Sequence, residues 1–202
     1  MSQVTSHIHT TNTWTSTQQL APELTDDEAT LVDDKTKTYV QEVTGVFLFY
    51  SRAIDPTMLT AVNKISMQSA KPTRATLQAI DRLLSYAERY PNAIIEIRPR
   101  KFTMQLCAQS DASYLSEHGA RSRAGAVLYF GFTEEHAINV MVEYISTVIP
   151  TVCSSVAEAE YAALSLTGRA ITTIRNILED LGYPQIEDYT NIICDNSCAV
   201  EV

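Results

Sequence analysis

Three acidic residues stand where carboxylates do chemistry: Asp111 after an alternating run, Glu160 early in a long helical pattern, and Asp195 after a short apolar run. In open sheets, ligands gather outside the carboxyl ends of strands, so Asp111 and Asp195 meet if their strands are neighbours. A helix packed on that sheet and starting at the same edge adds Glu160. Three converging carboxylates do not all stay ionised without a cation between them. Hard divalent ions take such all-oxygen ligation, and two of them ~3.5–4 Å apart can clamp a phosphodiester. Taken singly, Asp111 and Asp195 also suit ordinary turn or cap positions.

The element that must carry Glu160 runs from Cys153 to Gly182. Ser155 and Glu158 have capping-box spacing, which gives Glu158 a structural task. Gly182 and Pro184 supply the stop. Glu160, Leu164, Thr167, Ile171, Ile174, Leu178 and Leu181 recur at three and four residues and form one stripe, while Glu158, Ala162, Ser165, Arg169, Thr172, Asn176 and Glu179 form the wet face. Glu160 therefore lies in line with the buried face, where an unpaired carboxylate is costly. It either meets a partner there or leans out to solvent near the helix start.

The remaining elements follow from period and punctuation. Phe102, Met104, Leu106 and Ala108 alternate with polar residues as far as Asp111, predicting a strand with Gln105, Cys107 and Gln109 on its wet side. Residues 110–123 then read as a loop holding Ser113, Arg121 and Arg123. Ala124–Phe132 and Ile138–Ile149 are predicted strands, and Thr190–Cys194 is a fourth, apolar enough to be central and covered on both sides. Upstream, apolar spacing predicts helices from Tyr39 to Tyr50, from Met58 to Met67, and from Thr73 to Tyr90, with a strand at Ala93–Arg98. These helices carry no inward-facing charged cluster and suggest packing. Residues 1–38 hold ten threonines and no lasting period, so they read as a loosely ordered tail whose acidic pairs are solvated.

Composition sets outer bounds. A 202-residue chain is long enough for a sizeable core, and 45% hydrophobic residues is ordinary for a soluble protein. A net charge of -9 argues against broad attraction to nucleic acid or an anionic membrane. Cys107, Cys153, Cys194 and Cys198 lack paired metal-ligand spacing and read as reduced thiols, and neither a spanning helix nor a secretory signal is visible. The reading is an intracellular protein with no membrane partner.

The order Ser-Asp111-Ala-Ser-Tyr, Ala-Arg121-Ser-Arg-Ala-Gly, Ser154-Ser-x-x-Glu-Ala-Glu160-Tyr-x-Ala-Leu and Cys194-Asp195-Asn-x-x-Ala resembles the ribonuclease H region of copia-type LTR retrotransposon polyproteins. Val40-Gln-Glu-Val-Thr-Gly45, Phe49-Tyr-Ser-Arg-Ala53 and Asp55 followed by Pro72-Thr73 resemble the segment joining polymerase to nuclease in the same polyproteins. The resemblance implies an α/β fold, a ribonuclease H-like mixed sheet with flanking helices over residues 99–202, preceded by a helical connection segment at 39–98. It implies Asp111, Glu160 and Asp195 as catalytic ligands of two Mg²⁺ or Mn²⁺ ions, with Asp111 touching both, and hydrolysis of the RNA strand of an RNA:DNA hybrid. Arg121, Arg123, Ser113 and Asn196 are expected to contact that substrate, and the polymerase part of the parent polyprotein is the expected protein partner.

The polymerase's Tyr-x-Asp-Asp is absent. The family's fourth acid lies on a later helix that the chain does not reach, so the reading is a C-terminally truncated fragment, weak or inactive in isolation. A transposase or integrase would place its acids in the order Asp, Asp, Glu, whereas here the Glu falls between two Asp residues. A non-catalytic interaction domain of the same fold is the alternative from another class.

Overall fold

The computed structural model describes residues 32–95, 105–132, 137–186 and 188–196. The first helix, α1 (Asp34–Ala53), starts five residues before Tyr39, because the Asp33 carboxylate accepts the Thr36 amide and caps the polar first turn. After a 3₁₀ turn at Pro56–Met58 come α2 (Leu59–Gln68) and α3 (Arg74–Arg89), the latter opened by a Thr73/Thr76 capping box. Val40, Met58, Val62, Ile65, Ile80 and Leu83 close a core among these helices. Residues 93–95 of the predicted Ala93–Arg98 strand are not extended into a sheet, and its remainder, like residues 1–31, lies outside the described residues.

Four strands follow: β1 (Leu106–Glu117), β2 (Arg121–Phe132), β3 (Ala137–Val148) and, after the 25-residue helix α4 (Val156–Asp180), β4 (Ile192–Cys194). Their order is β3-β2-β1-β4, with β1–β2 and β2–β3 antiparallel and β1–β4 parallel, a mixed sheet in a mixed α/β fold. The loop expected at residues 110–123 is instead a hairpin. Strand pairing continues to Glu117↔Arg121, and the turn is confined to His118–Ala120, where Gly119 and Ala120 take positive φ of 72° and 54°. Ala112 and Tyr114 continue the inward alternation, each only half-buried, between the polar Asp111, Ser113 and Ser116, so the polar composition conceals a strand. Strand β4 lies at the edge of the sheet among the described residues, not at its centre, and its three residues are half-buried.

Helix α4 covers one face of the sheet. Leu106, Ala108, Leu128 and Phe130 pack against Ile171 and Leu178, while Ala124, Ile149 and Cys153 pack against Ala159 and Ala163 nearer the helix start. The predicted stripe is the buried face as far as Leu178, whereas Leu181 is 65% exposed past the helix end. Cys107, expected on a wet face, is buried with Tyr129 as its cross-strand partner. Among the described residues no helix is long and apolar enough to cross a membrane.

Candidate metal centre

Parallel pairing of β1 with β4 matches Ser110 with Cys194, so Asp111 and Asp195 each follow a paired residue at the same end of the two strands. Both are exposed. Asp111 is thus an interior residue of β1, not a strand end, and it sits where the β4 partner strand stops. Helix α4 brings the third acid: its first turn is fixed by Ser155, whose Oγ accepts the Glu158 amide, while Glu158 Oε2 accepts the Ser154 amide at 2.6 Å. The reciprocal arm of the expected capping box therefore falls on Ser154, one residue before the cap.

One turn further in, Glu160 is only 3% exposed, so it points inward, not to solvent. Burial pushes its carboxyl above the ordinary value, and the charges of Asp111 and Asp195 push the same way. The Ala112 amide, whose 2.8 Å hydrogen bond is to Asp111 Oδ1, and the Cys194 thiol, 3.8 Å from Glu160 Oε2, pull the other way. Two turns along the helix, the buried Thr167 hydroxyl lies 3.1 Å from Ser110 Oγ and ties α4 to β1 next to Asp111. Ligand atoms of Glu160, Cys194 and Asp195 all lie within 4.8 Å of one another. Cys194 was not legible as a member of this group from cysteine spacing. Its signal was adjacency to Asp195 at a strand end.

Chemically, converging carboxylates with one held above its usual range fit a divalent cation, which removes the repulsion between them. The thiol adds a softer donor beside them.

The expected substrate-contacting residues are distributed differently. Ser113 is exposed on β1, two residues from Asp111, and pairs across the sheet with Arg123. Asn196 follows Asp195 and is half-buried. Arg121 is exposed at the start of β2. Arg123, expected in a loop, is buried inside β2, because its Nε donates to Glu117 Oε1 at 2.7 Å and its Nη1 to Ser146 Oγ at 3.2 Å. Lys64 of α2 reaches the same Glu117 oxygen at 3.2 Å. Burial pushes the Glu117 carboxyl up, but the hydrogen bond and charge of Arg123, with Lys64, outweigh that and hold it below its ordinary value. Neither Glu117 nor Lys64 carried a readable sequence signal, since their pairing joins residues 53 positions apart.

No protein-family profile matches the chain. It is similar to the retrovirus-related Pol polyprotein from transposon RE1 of Arabidopsis thaliana, with 31% identity over 142 residues. The match covers 70% of this chain and 9% of that protein's length. The similarity supports a retroelement origin.

Proposed function

We propose that this chain carries the ribonuclease H-like part of a copia-type retroelement polyprotein and that its chemistry is divalent-metal-dependent hydrolysis of the RNA strand of an RNA:DNA hybrid. The observation that supports this most strongly is the close group of Glu160, Cys194 and Asp195, with Glu160 buried and the charge of Asp111 near enough to act on it. In this reading Asp111, Glu160 and Asp195 hold Mg²⁺ or Mn²⁺, which when bound supplies Lewis-acid stabilisation of charge on the phosphodiester. The chain's own contributions are positional. Ser110 and Thr167 lock β1 to α4, the Ala112 amide holds Asp111 Oδ1, the Cys194 thiol contacts Glu160 Oε2, and β4 brings Asp195 to the same end of the sheet as Asp111. In this reading exposed Ser113 and Arg121, with Asn196, contact the substrate strand, Arg121 from the β1–β2 hairpin turn. Chain order agrees, since the glutamate comes between the two aspartates, on the helix after a three-strand meander.

The test combines Mn²⁺ binding, read from loss of the free-ion EPR signal, with cleavage of a labelled hybrid. Binding and cleavage that both fall in Asp111→Asn and Glu160→Gln support the proposal. A folded chain that neither binds Mn²⁺ nor cleaves the hybrid overturns it and leaves a non-catalytic interaction domain.

A further inference from the structure

On the face of the sheet that α4 does not cover, helix α2 meets the strands around a cleft of about 290 Å³, walled by Thr60, Lys64, Ser113, Glu117, Arg123 and Ser146, with Asp111 also on its lining. That is roughly ten times the share of liquid volume taken by one water. Two cations in it share one acid: Lys64 Nζ and Arg123 Nε both reach Glu117 Oε1, leaving one positive charge in excess across these three groups. The Arg123 side chain is 7% exposed, and its Nη2 is buried with no hydrogen-bond partner. A guanidinium nitrogen in that state costs free energy until an acceptor reaches it.

The lining says what kind of acceptor fits. Arg123 has already committed Nε to Glu117 and one Nη1 N–H to Ser146, which leaves both N–H groups of Nη2 for a further acceptor. Ser113 and Thr60 add hydroxyls from other directions, the Ser116 hydroxyl being spent on the Ser113 carbonyl, and Lys64 adds a charge on a side chain that is 49% exposed. A tetrahedral oxyanion matches this set better than a flat one. Ser113 stands two residues beyond Asp111 on the same side of β1, about 6.8 Å at the ~3.4 Å rise of an antiparallel strand. A nucleic-acid strand presents a phosphate every ~3.4 Å of its axis, so one lying over Asp111 brings another phosphate to this cleft.

We infer that the cleft between α2 and the sheet is a subsite for one backbone phosphate of the nucleic acid engaged at Asp111, contacted by Lys64, Arg123 and Ser113. The inference rests on the nuclease reading above and extends it, because it makes the helical segment part of the substrate site. It also gives a strongly acidic protein a local positive contact where its overall charge supplies none.

The full chain carrying Asp111→Asn, which blocks cleavage under the nuclease reading and removes the one anionic neighbour on the lining without a cation partner, is the background for the test. Binding of a fluorescein-labelled RNA:DNA hybrid is followed by anisotropy across salt concentrations. Adding Lys64→Gln is expected to weaken binding about threefold and to flatten the slope of log affinity against log salt by ~0.9. Arg123→Lys keeps a cation against Glu117 but deletes Nη2, and is expected to weaken binding with little change in slope. Unchanged affinity and slope in both variants, with circular dichroism intact, overturn the subsite. Separately, inorganic phosphate titrated into the ¹⁵N-labelled chain should shift the Ser113 and Gly125 amides saturably, and Lys64→Gln should abolish that shift. Phosphate shifts without hybrid binding would keep the anion site and sink the nuclease reading. Hybrid cleavage with unmoved amides and an inert Lys64→Gln would do the reverse.

Discussion

Glu160→Gln is the substitution whose effect the geometry fixes most closely. Glu160 and Asp195 offer oxygens within 4.8 Å of each other. At that separation, with an effective dielectric of ~20, two like charges repel by about 3 kcal/mol. Exposure of Asp195 to solvent reduces this to on the order of 1 kcal/mol. Glutamine keeps a carbonyl oxygen for the Cys194 thiol and removes the charge, so without divalent ions the variant should be the more stable protein at pH 8. The gain should be about 1 kcal/mol, or roughly 2–4 °C in Tm for a chain of this size. Its pH dependence has a definite sign. The folded-state pKa of Glu160 is raised above 4.5, so below 4.5 both proteins are neutral at this position and equally stable. As pH rises from 4.5 through the folded-state pKa, wild type loses stability relative to the variant, and above it the difference is constant. Saturating Mg²⁺ or Mn²⁺ should reverse the ranking, since an ion at 100 times its Kd stabilises only the protein that binds it, by about 2.7 kcal/mol. Thermal melts at pH 4 and pH 8, with and without the ion, give all four values. A variant less stable than wild type by the same amount at both pH values would show that Glu160 is a structural hydrogen-bonding residue and that the like-charge argument is wrong.

Three further outcomes follow from named contacts. Leu128→Ala, at a fully buried site between the sheet and α4, should cost about 2–5 kcal/mol in urea unfolding, and a loss under 1 kcal/mol would contradict that packing. Ser155→Ala should lower stability by about 1 kcal/mol through loss of the α4 cap, seen as a lower urea midpoint with unchanged m-value. Glu117→Gln should cost about 3 kcal/mol because it strands the buried Arg123 charge. The same pair makes wild type acid-sensitive: its contribution is complete above 4.5 and is lost as pH falls through the depressed Glu117 pKa, a trend that melts of the glutamine variant should not show.

The legible parts of the fold were those with local periodicity. Helix α4 and its Ser155 cap follow from three- and four-residue spacing, and the helix packs as that spacing requires, whereas the spacing left Glu160 free to turn inward or to solvent and only the packed fold shows it buried. The strand from Ser110 to Glu117 was hidden, because serines and alanines look like a loop until cross-strand pairing with residues 121–126 is known. Its one local sign was Gly119 at the turn. The start of α1 was missed for a related reason: residues 34–38 are polar, and only the three-residue offset between Asp33 and Thr36 marked a cap. At the site, Glu160 and Asp195 were candidates from their places early in a helix and after a strand, while Asp111, expected at a strand end, lies inside β1. Arg123 could not be placed, since its burial depends on Glu117 across the hairpin and Lys64 on a separate helix. Such long-range ion pairs leave no trace in short-range spacing.

Strand β4 has a consequence for motion. It is three residues long, joins the sheet on one side among the described residues, sends Ile192 into the core under α4, and is preceded by Tyr189 and Thr190, whose carbonyl and hydroxyl accept from Arg175 Nη1. The β1–β2–β3 meander and α4 have far more to lose by separating. Peeling β4 away is therefore a smaller excursion than global unfolding, and its amides should exchange with solvent ahead of those in the meander. That excursion carries Asp195 and Cys194 away from Glu160 while Asp111 stays in place. The candidate centre can thus be taken apart and rebuilt by a local fluctuation at the sheet edge, with the rest of the fold standing.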